Sequence, residues 1–290
     1  MNRRRALRVV AAALLAPAAA WAQDRRVALG AEAELTLYGP ASVTARAARR
    51  AWAELARLEA VFSLHDPRSA LARLNAAGAL LAPPPDLVEV LALCARLHAA
   101  TDGRFDPTVQ PLWLALAQGG DAAAARALVG WDGVRFDAGA VRLRPGQQLT
   151  LNGIAQGYAT DRVTAALAAE GLSRALVEVG EFRALSGPFA LGVEDPAHGR
   201  LGQVTLDGTA CATSSPFALT LPGGSGHILH PRGGAPAWST VTVRAPTAAV
   251  ADGLGTALCL ADAPAARAIL AAFPGATATA ISHAGDLSTL

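Results

Sequence analysis

Helical and strand periodicities follow one another along this chain in no regular order, and that irregularity limits the fold more than any single motif does. A strand is expected at 27–38. A helix is expected at 41–62, where Ala48, Trp52, Leu55 and Leu58 recur at helical spacing. A short helical turn at 69–75 follows, and Pro83-Pro84-Pro85-Asp86 reads as a stop and N-cap for a helix at 87–100. Further on come a short helix at 121–130, a hairpin over 134–151 bending at Pro145-Gly146, and a helix at 158–171. The last third holds a buried strand at 175–179, two strands within 189–211, a strand at 241–244 and a helix at 247–261. It closes with a second helix from Pro264 to 273 and a strand near 278–282. No strand–helix–strand repeat emerges, so the expected class is α+β, with mixed sheets and packed helices, rather than a doubly wound sheet.

The chain has 290 residues, 52% of them hydrophobic and 17% charged, enough to bury a large core. Its start is basic (Arg3, Arg4, Arg5, Arg8), runs into the apolar residues 9–20 and ends in Ala20-Trp21-Ala22, a small-x-small cleavage pattern. Residues 1–22 are therefore expected to be a secretory signal peptide. Arg3 and Arg4 suit the twin-arginine route, and three consecutive arginines suit an ordinary export signal as well. The apolar run falls short of the roughly 20 residues that span a bilayer, so a soluble domain at 23–290 in the periplasm is expected.

Without residues 1–22, 21 arginines face 23 acids and the formal charge changes from +2 to −2. Such a balance disfavours nucleic acid as a partner. Cys94, Cys211 and Cys259 are odd in number and far apart, which fits neither a disulfide framework nor a zinc ligand set. The chain contains no lysine, which excludes P-loop and lysine-tethered pyridoxal chemistry.

Four segments concentrate groups able to do chemistry. In Leu151-Asn152-Gly153-Ile154-Ala155-Gln156-Gly157-Tyr158, glycines precede a helix whose free N–H groups suit an anion; a tight turn into a helix explains the same residues. In the segment 247–256, Thr247 can cap a helix, and Asp252 and Thr256, four apart, share a face. A carboxylate and a hydroxyl are hard ligands suited to Mg²⁺, although an acid near a helix start is also favoured by the dipole alone. The segment 227–234 holds His227 and His230, and a histidine is the usual base for a hydroxyl nucleophile at neutral pH. The fourth, Asp102-Gly103-Arg104-Phe105-Asp106-Pro107-Thr108, also reads as a plain loop closed by turn residues.

Together and in this order, these segments resemble the FAD:protein FMN transferases of the ApbE family, whose domain is related to the T-fold. Phe62-Ser63-Leu64-His65, Leu71-Ala72-Arg73-Leu74-Asn75, Val179-Gly180-Glu181 and Ala212-Thr213-Ser214-Ser215 extend the match along nearly the whole chain after the leader. The resemblance implies Mg²⁺-dependent transfer of FMN from FAD to a Ser or Thr of an acceptor flavoprotein, a membrane electron-transfer protein, with release of AMP. It implies metal contacts from the Asp252 and Thr256 side chains and a backbone carbonyl at Gly153 or Ala155, with His227 as base. Its FAD contacts map onto Leu29, His65, Arg104, Phe105, Asp106, Thr150, Gln156 and Ile228.

Departures from the family's pattern are Gln156 for Lys or Glu, Glu181 for Asp, His230 for Asp and Gly233 for Thr or Ser. The Asn-Gly-Ile-Ala-Gln-Gly and Gly-Glu forms are similar to the branch tied to flavoproteins of nitrous-oxide respiration. Two alternatives stay open on the same residues: an FAD diphosphatase, with water in place of the acceptor hydroxyl, and a flavin-binding maturation factor without catalysis.

Overall fold

The computed structural model describes residues 21–290, so the leader expected at 1–22 lies outside the described residues up to residue 20. The chain opens with strands β1 (Trp21–Ala28) and β2 (Ala31–Tyr38), then helices α1 (Ala41–Phe62) and α2 (Ala70–Ala77), strand β3 (Ala79–Leu81) and helix α3 (Pro85–Ala100). Helices α4 (Gln110–Gln118) and α5 (Ala122–Arg126), strands β4 (Arg135–Phe136) and β5 (Ala140–Arg142), and helix α6 (Ala155–Ala169) follow. Next come β6 (Arg174–Val179), β7 (Phe182–Ala184), β8 (Phe189–Asp195), β9 (Gly199–Leu206), β10 (Ala210–Ser214) and β11 (Thr240–Ala245). Helices α7 (Ala248–Leu258) and α8 (Ala263–Ala271) and strands β12 (Thr277–Ile281) and β13 (Leu287–Thr289) complete the chain.

The backbone of the fold is an eight-stranded sheet in the order β1-β2-β6-β7-β10-β11-β12-β13. Every neighbouring pair in it is antiparallel. Strand alternation sorts its two faces. Leu35 and Leu37 of β2, Val177 and Val179 of β6 and Val241 and Val243 of β11 point into one core with α1, α3, α6, α7 and α8. On the opposite face, Leu176, Phe182, Ala184 and Cys211 pack under Phe189, Leu191 and Leu206 of the separate β8–β9 hairpin. Burying side chains of this size stabilises by about 1.5–3 kcal/mol each, so two apolar faces hold the sheet between its layers.

The α+β expectation agrees with this architecture, and several local expectations change. The first strand is a hairpin, turned at Leu29 (φ 50°) and Gly30 (φ 75°) as a two-residue loop with both central residues in the left-handed region. Leucine is a rare occupant of that region, so the turn carried no sequence signal. The hairpin over 134–151 bends at 137–139, where the Asp137 carboxylate accepts from Gly139 N–H (2.7 Å) and Ala140 N–H (2.9 Å). The segment 189–211 holds the β8–β9 hairpin and the start of β10. Helix α6 begins three residues before the expected position, α3 starts at Pro85 rather than after an Asp86 cap, and α4 and β13 were not anticipated. Cys94, Cys211 and Cys259 are free and buried, and burial pushes all three thiols up.

Candidate active site

The first turns of α6 and α7 press together beside a cavity of about 500 Å³. A Cβ on Gly157 would stand 2.4 Å from the Ala248 carbonyl oxygen, so only glycine lets the two backbones come this close. Each helix gives a carboxylate to the other's N-terminal end. Asp161 of α6 accepts from Ala248 N–H (2.8 Å) and Ala249 N–H (3.0 Å), while Asp252 of α7 accepts from Gly157 N–H (3.1 Å). These bonds satisfy helix-end donors that would otherwise be orphaned and place negative charge at the positive end of each dipole. Burial raises the Asp161 carboxyl above its ordinary range, against the pull of its ion pair with Arg183.

Asp252 is 3% exposed, and its fixed carboxylate lies one turn from Thr256 on the same side of α7. A Cβ on Gly153 would meet the Thr256 hydroxyl oxygen at 2.7 Å, so the bare backbone of the Gly153 turn lies directly against that hydroxyl. Asp252, Thr256 and Gly153 all line the cavity, and Ala155 opens α6 beside them, 6% exposed. No three His, Cys, Asp or Glu side chains converge on a point among the described residues. A divalent cation here would therefore draw on one carboxylate, one hydroxyl and backbone carbonyls, leaving positions for water and a ligand's phosphates, which suits Mg²⁺ better than zinc.

His227 stands in the wall formed by the segment after β10. Its N–H and its Nδ1 both lie 2.9 Å from the Pro216 carbonyl oxygen. A carbonyl only accepts, so Nδ1 carries the proton and Nε2 is the basic nitrogen of the neutral ring. Gly226 makes this possible, since a Cβ there would lie 2.5 Å from the same carbonyl oxygen.

The loop at 102–109 builds another wall. The Asp106 carboxylate accepts from Thr108 N–H (2.8 Å) and Thr108 Oγ1–H (2.6 Å), and Gly130 N–H donates to Thr108 Oγ1 (2.7 Å), which ties the loop to the segment after α5. Arg104 lines the cavity with its Nε buried and without a hydrogen-bond partner among the described residues. A buried guanidinium donor left unmatched by protein is what an anionic ligand would satisfy.

His230 lies beside Arg104, Arg126 and Arg232. Burial first, and then these three cations, lower its pKa, which favours the neutral ring. Its Nδ1 accepts from the backbone N–H of Arg232 at 3.2 Å. His230 thus supplies a side-chain acceptor to this turn, which also closes through Gly233 N–H and the His230 carbonyl. Gln156 packs on Gly180, where a Cβ would stand 2.6 Å from the Gln156 amide carbon.

The cavity gathers His227, Arg104, Phe105, Asp106, Thr150, Gln156, Ile228, Gly153, Asp252 and Thr256. Three of the anticipated positions are placed differently. Leu29 is at the hairpin turn between the lining residues Val27 and Gly30, Ala155 lies behind the Gly153 turn, and His65 is exposed after α1. Sequence reasoning passed over Trp113, Glu32 and Glu178, which also line the cavity. Glu178 left one trace in the sequence, a lone acid within the apolar run 175–179 of β6.

The profile of the ApbE family matches residues 29–280. The FAD:protein FMN transferase of Klebsiella pneumoniae (strain 342) is 30% identical over 223 residues, covering 66% of this chain and 64% of that protein. A second match, to a protein of the same name from the same strain, is 31% identical over 99 residues, 32% of this chain and 31% of the relative. The chain thus spans less than two thirds of the length of the curated relatives it matches. Among solved structures, the apo form of Pseudomonas stutzeri flavinyl transferase ApbE superimposes with a TM-score of 0.80 at 26% identity, covering 93% of this chain and 95% of that one. The ApbE protein of Thermotoga maritima gives 0.83 at 25% identity, with 93% and 97% covered.

Proposed function

Because this chain belongs to the ApbE family, we propose that it is an FAD:protein FMN transferase, which moves the FMN half of FAD to a Ser or Thr hydroxyl of an acceptor protein and releases AMP. The observation that carries this reading is the convergence of the Asp252 carboxylate, the Thr256 hydroxyl and the His227 ring on one cavity. Mg²⁺ is its cofactor: the donor set of Asp252, Thr256 and the carbonyls of Gly153 or Ala155 fits that ion. When bound, it offsets the charge of the FAD diphosphate.

The protein's own groups then divide the work. The Pro216 carbonyl holds His227 in the tautomer with a basic Nε2, which takes the proton of the acceptor hydroxyl. The hydroxyl oxygen bonds to the FMN phosphorus, the phosphoanhydride bond breaks, and AMP departs with its electron pair. Arg104 offers its buried Nε–H to a phosphate oxygen.

The acceptor is a flavoprotein carrying a Ser or Thr attachment site, a membrane electron-transfer protein, and the enzyme works in the periplasm after export on the leader at 1–22. No helix among the described residues is long and apolar enough to cross a membrane. Incubating the purified chain with FAD, Mg²⁺ and an acceptor domain tests the proposal. The acceptor should gain the mass of FMN, bound covalently, and omitting Mg²⁺ should abolish the gain. Free FMN and AMP with an unmodified acceptor would instead identify a diphosphatase, and FAD binding without AMP would identify a maturation factor.

A further inference from the structure

A dinucleotide held in this cavity needs a surface for its flat rings, and the aromatic side chains around it differ in what they can offer. Two aromatic residues other than histidine line the cavity, Phe105 and Trp113. Phe105 is 3% exposed and belongs to the main core, so its ring faces are covered by protein. Trp113 is only half-buried. It enters no ring contact and no cation–π contact among the described residues.

The other described tryptophans are engaged or remote. Trp131 stacks on His98 and meets Phe136 edge-on, Trp52 lies under Arg26 and donates to Asp24, Trp238 donates to the Ala261 carbonyl, and Trp21 starts β1 away from the cavity.

Trp113 is also held rigidly. It sits in the first turn of α4, which follows directly on the loop tied down by the Asp106–Thr108 and Thr108–Gly130 hydrogen bonds. Its neighbour Leu112 is fully buried, which anchors the helix to the domain. A ring with two side-chain torsions on a fixed backbone loses little entropy when a ligand stacks on it.

We propose that Trp113 is the stacking surface for one of the two aromatic rings of FAD, the isoalloxazine or the adenine. The inference rests on the transferase reading and adds to it a residue that selects for a planar heteroaromatic ligand.

The test measures the affinity of the purified chain for FAD, FMN and AMP, with Mg²⁺ and no acceptor, in the wild type, Trp113→Phe and Trp113→Leu. Trp113→Leu should weaken FAD about tenfold or more, and Trp113→Phe much less. The loss should fall on one half only: on FMN if the isoalloxazine stacks, on AMP if the adenine does. Unchanged FAD affinity in Trp113→Leu overturns the stacking alone, as does an equal loss for FMN and AMP, which would mark a general disturbance of the cavity. A wild-type chain that binds no FAD overturns the stacking and the transferase reading together. The wild type gives a reading that depends on no variant: the stacked ring should show a hypochromic, red-shifted band, flavin or adenine, and its absence from both contradicts the proposal.

Discussion

The Asp252 carboxylate accepts the backbone N–H of Gly157 at 3.1 Å across the junction of α6 and α7, which fixes the charged group that faces the cavity. This bond separates two roles that one residue plays. Asp252→Asn keeps an amide oxygen for the Gly157 N–H but loses the charge; Asp252→Ala loses both. Both variants should lower transfer at least about 100-fold, the scale on which losing a placed electrostatic group affects catalysis. Only Asp252→Ala should also lower the unfolding free energy, by about 1–3 kcal/mol for the orphaned buried donor. Steady-state rates and urea melts on the same preparations check both halves.

Gly157→Ala tests the helix junction without touching a charge. Its methyl group would meet the Ala248 carbonyl oxygen, so the helices must part, at a cost of about 1–3 kcal/mol as in other overpacked contacts. Parting them moves Asp252 and Thr256 away from the Gly153 turn, so the metal concentration needed for half-maximal activity should rise along with the loss of stability. A Gly157→Ala protein with wild-type stability would show that the backbone approach is looser than described.

Asp195 predicts the acid limb of stability. Its burial favours the neutral form, but hydrogen bonds from Ser239 (2.6 Å), Thr240 (2.7 Å), Ala197 N–H and His198 win and bring its pKa to about 2. An aspartate in an unfolded chain titrates near ~3.9, so the unfolded state takes up the proton first as pH falls. The stabilisation is full above about pH 4 and is lost as pH drops toward 2. Asp195→Asn should lower stability at pH 7 by about 1.5–3 kcal/mol and flatten that limb. Urea midpoints between pH 2 and 5 measure it.

Glu178 predicts the opposite slope. Burial, then the cross-strand neighbour Glu34, raise its pKa to about 7, with Glu32 adding to the effect and Arg25 opposing it. The folded state therefore holds a proton that the unfolded chain releases near pH ~4.3, and stability should fall as pH rises from there to 7, then level off. Glu178→Gln should remove the fall and make the protein more stable than wild type at pH 8. A wild-type slope that persists in the variant would assign it to another group.

The fold was legible where a periodic pattern met a clear stop. Helix α1 runs over Ala41–Phe62 as its apolar stripe indicates, with Pro40 before it and Ser63 after. The pattern failed where tertiary contacts override local preference. Gly157 lowers the helical signal of the first turn of α6, yet that turn is helical because the glycine lets Ala248 close on it. Leu29 hides a hairpin turn, and Pro111 conceals the start of α4 by standing where a proline costs a helix little. Within the site, Asp252 and Thr256 could be paired from their spacing alone. Trp113 and Glu178 could not, because only the packing of α4 and β6 brings them to the same cavity.

The most direct test of the account is the ratio of AMP released to FMN bound covalently on the acceptor, measured in one reaction for the wild type and for His227→Ala. One AMP per FMN transferred in the wild type, with both products falling together by about 100-fold or more in His227→Ala, is the predicted result. AMP released by the wild type without FMN on the acceptor, or transfer undiminished in His227→Ala, would contradict it.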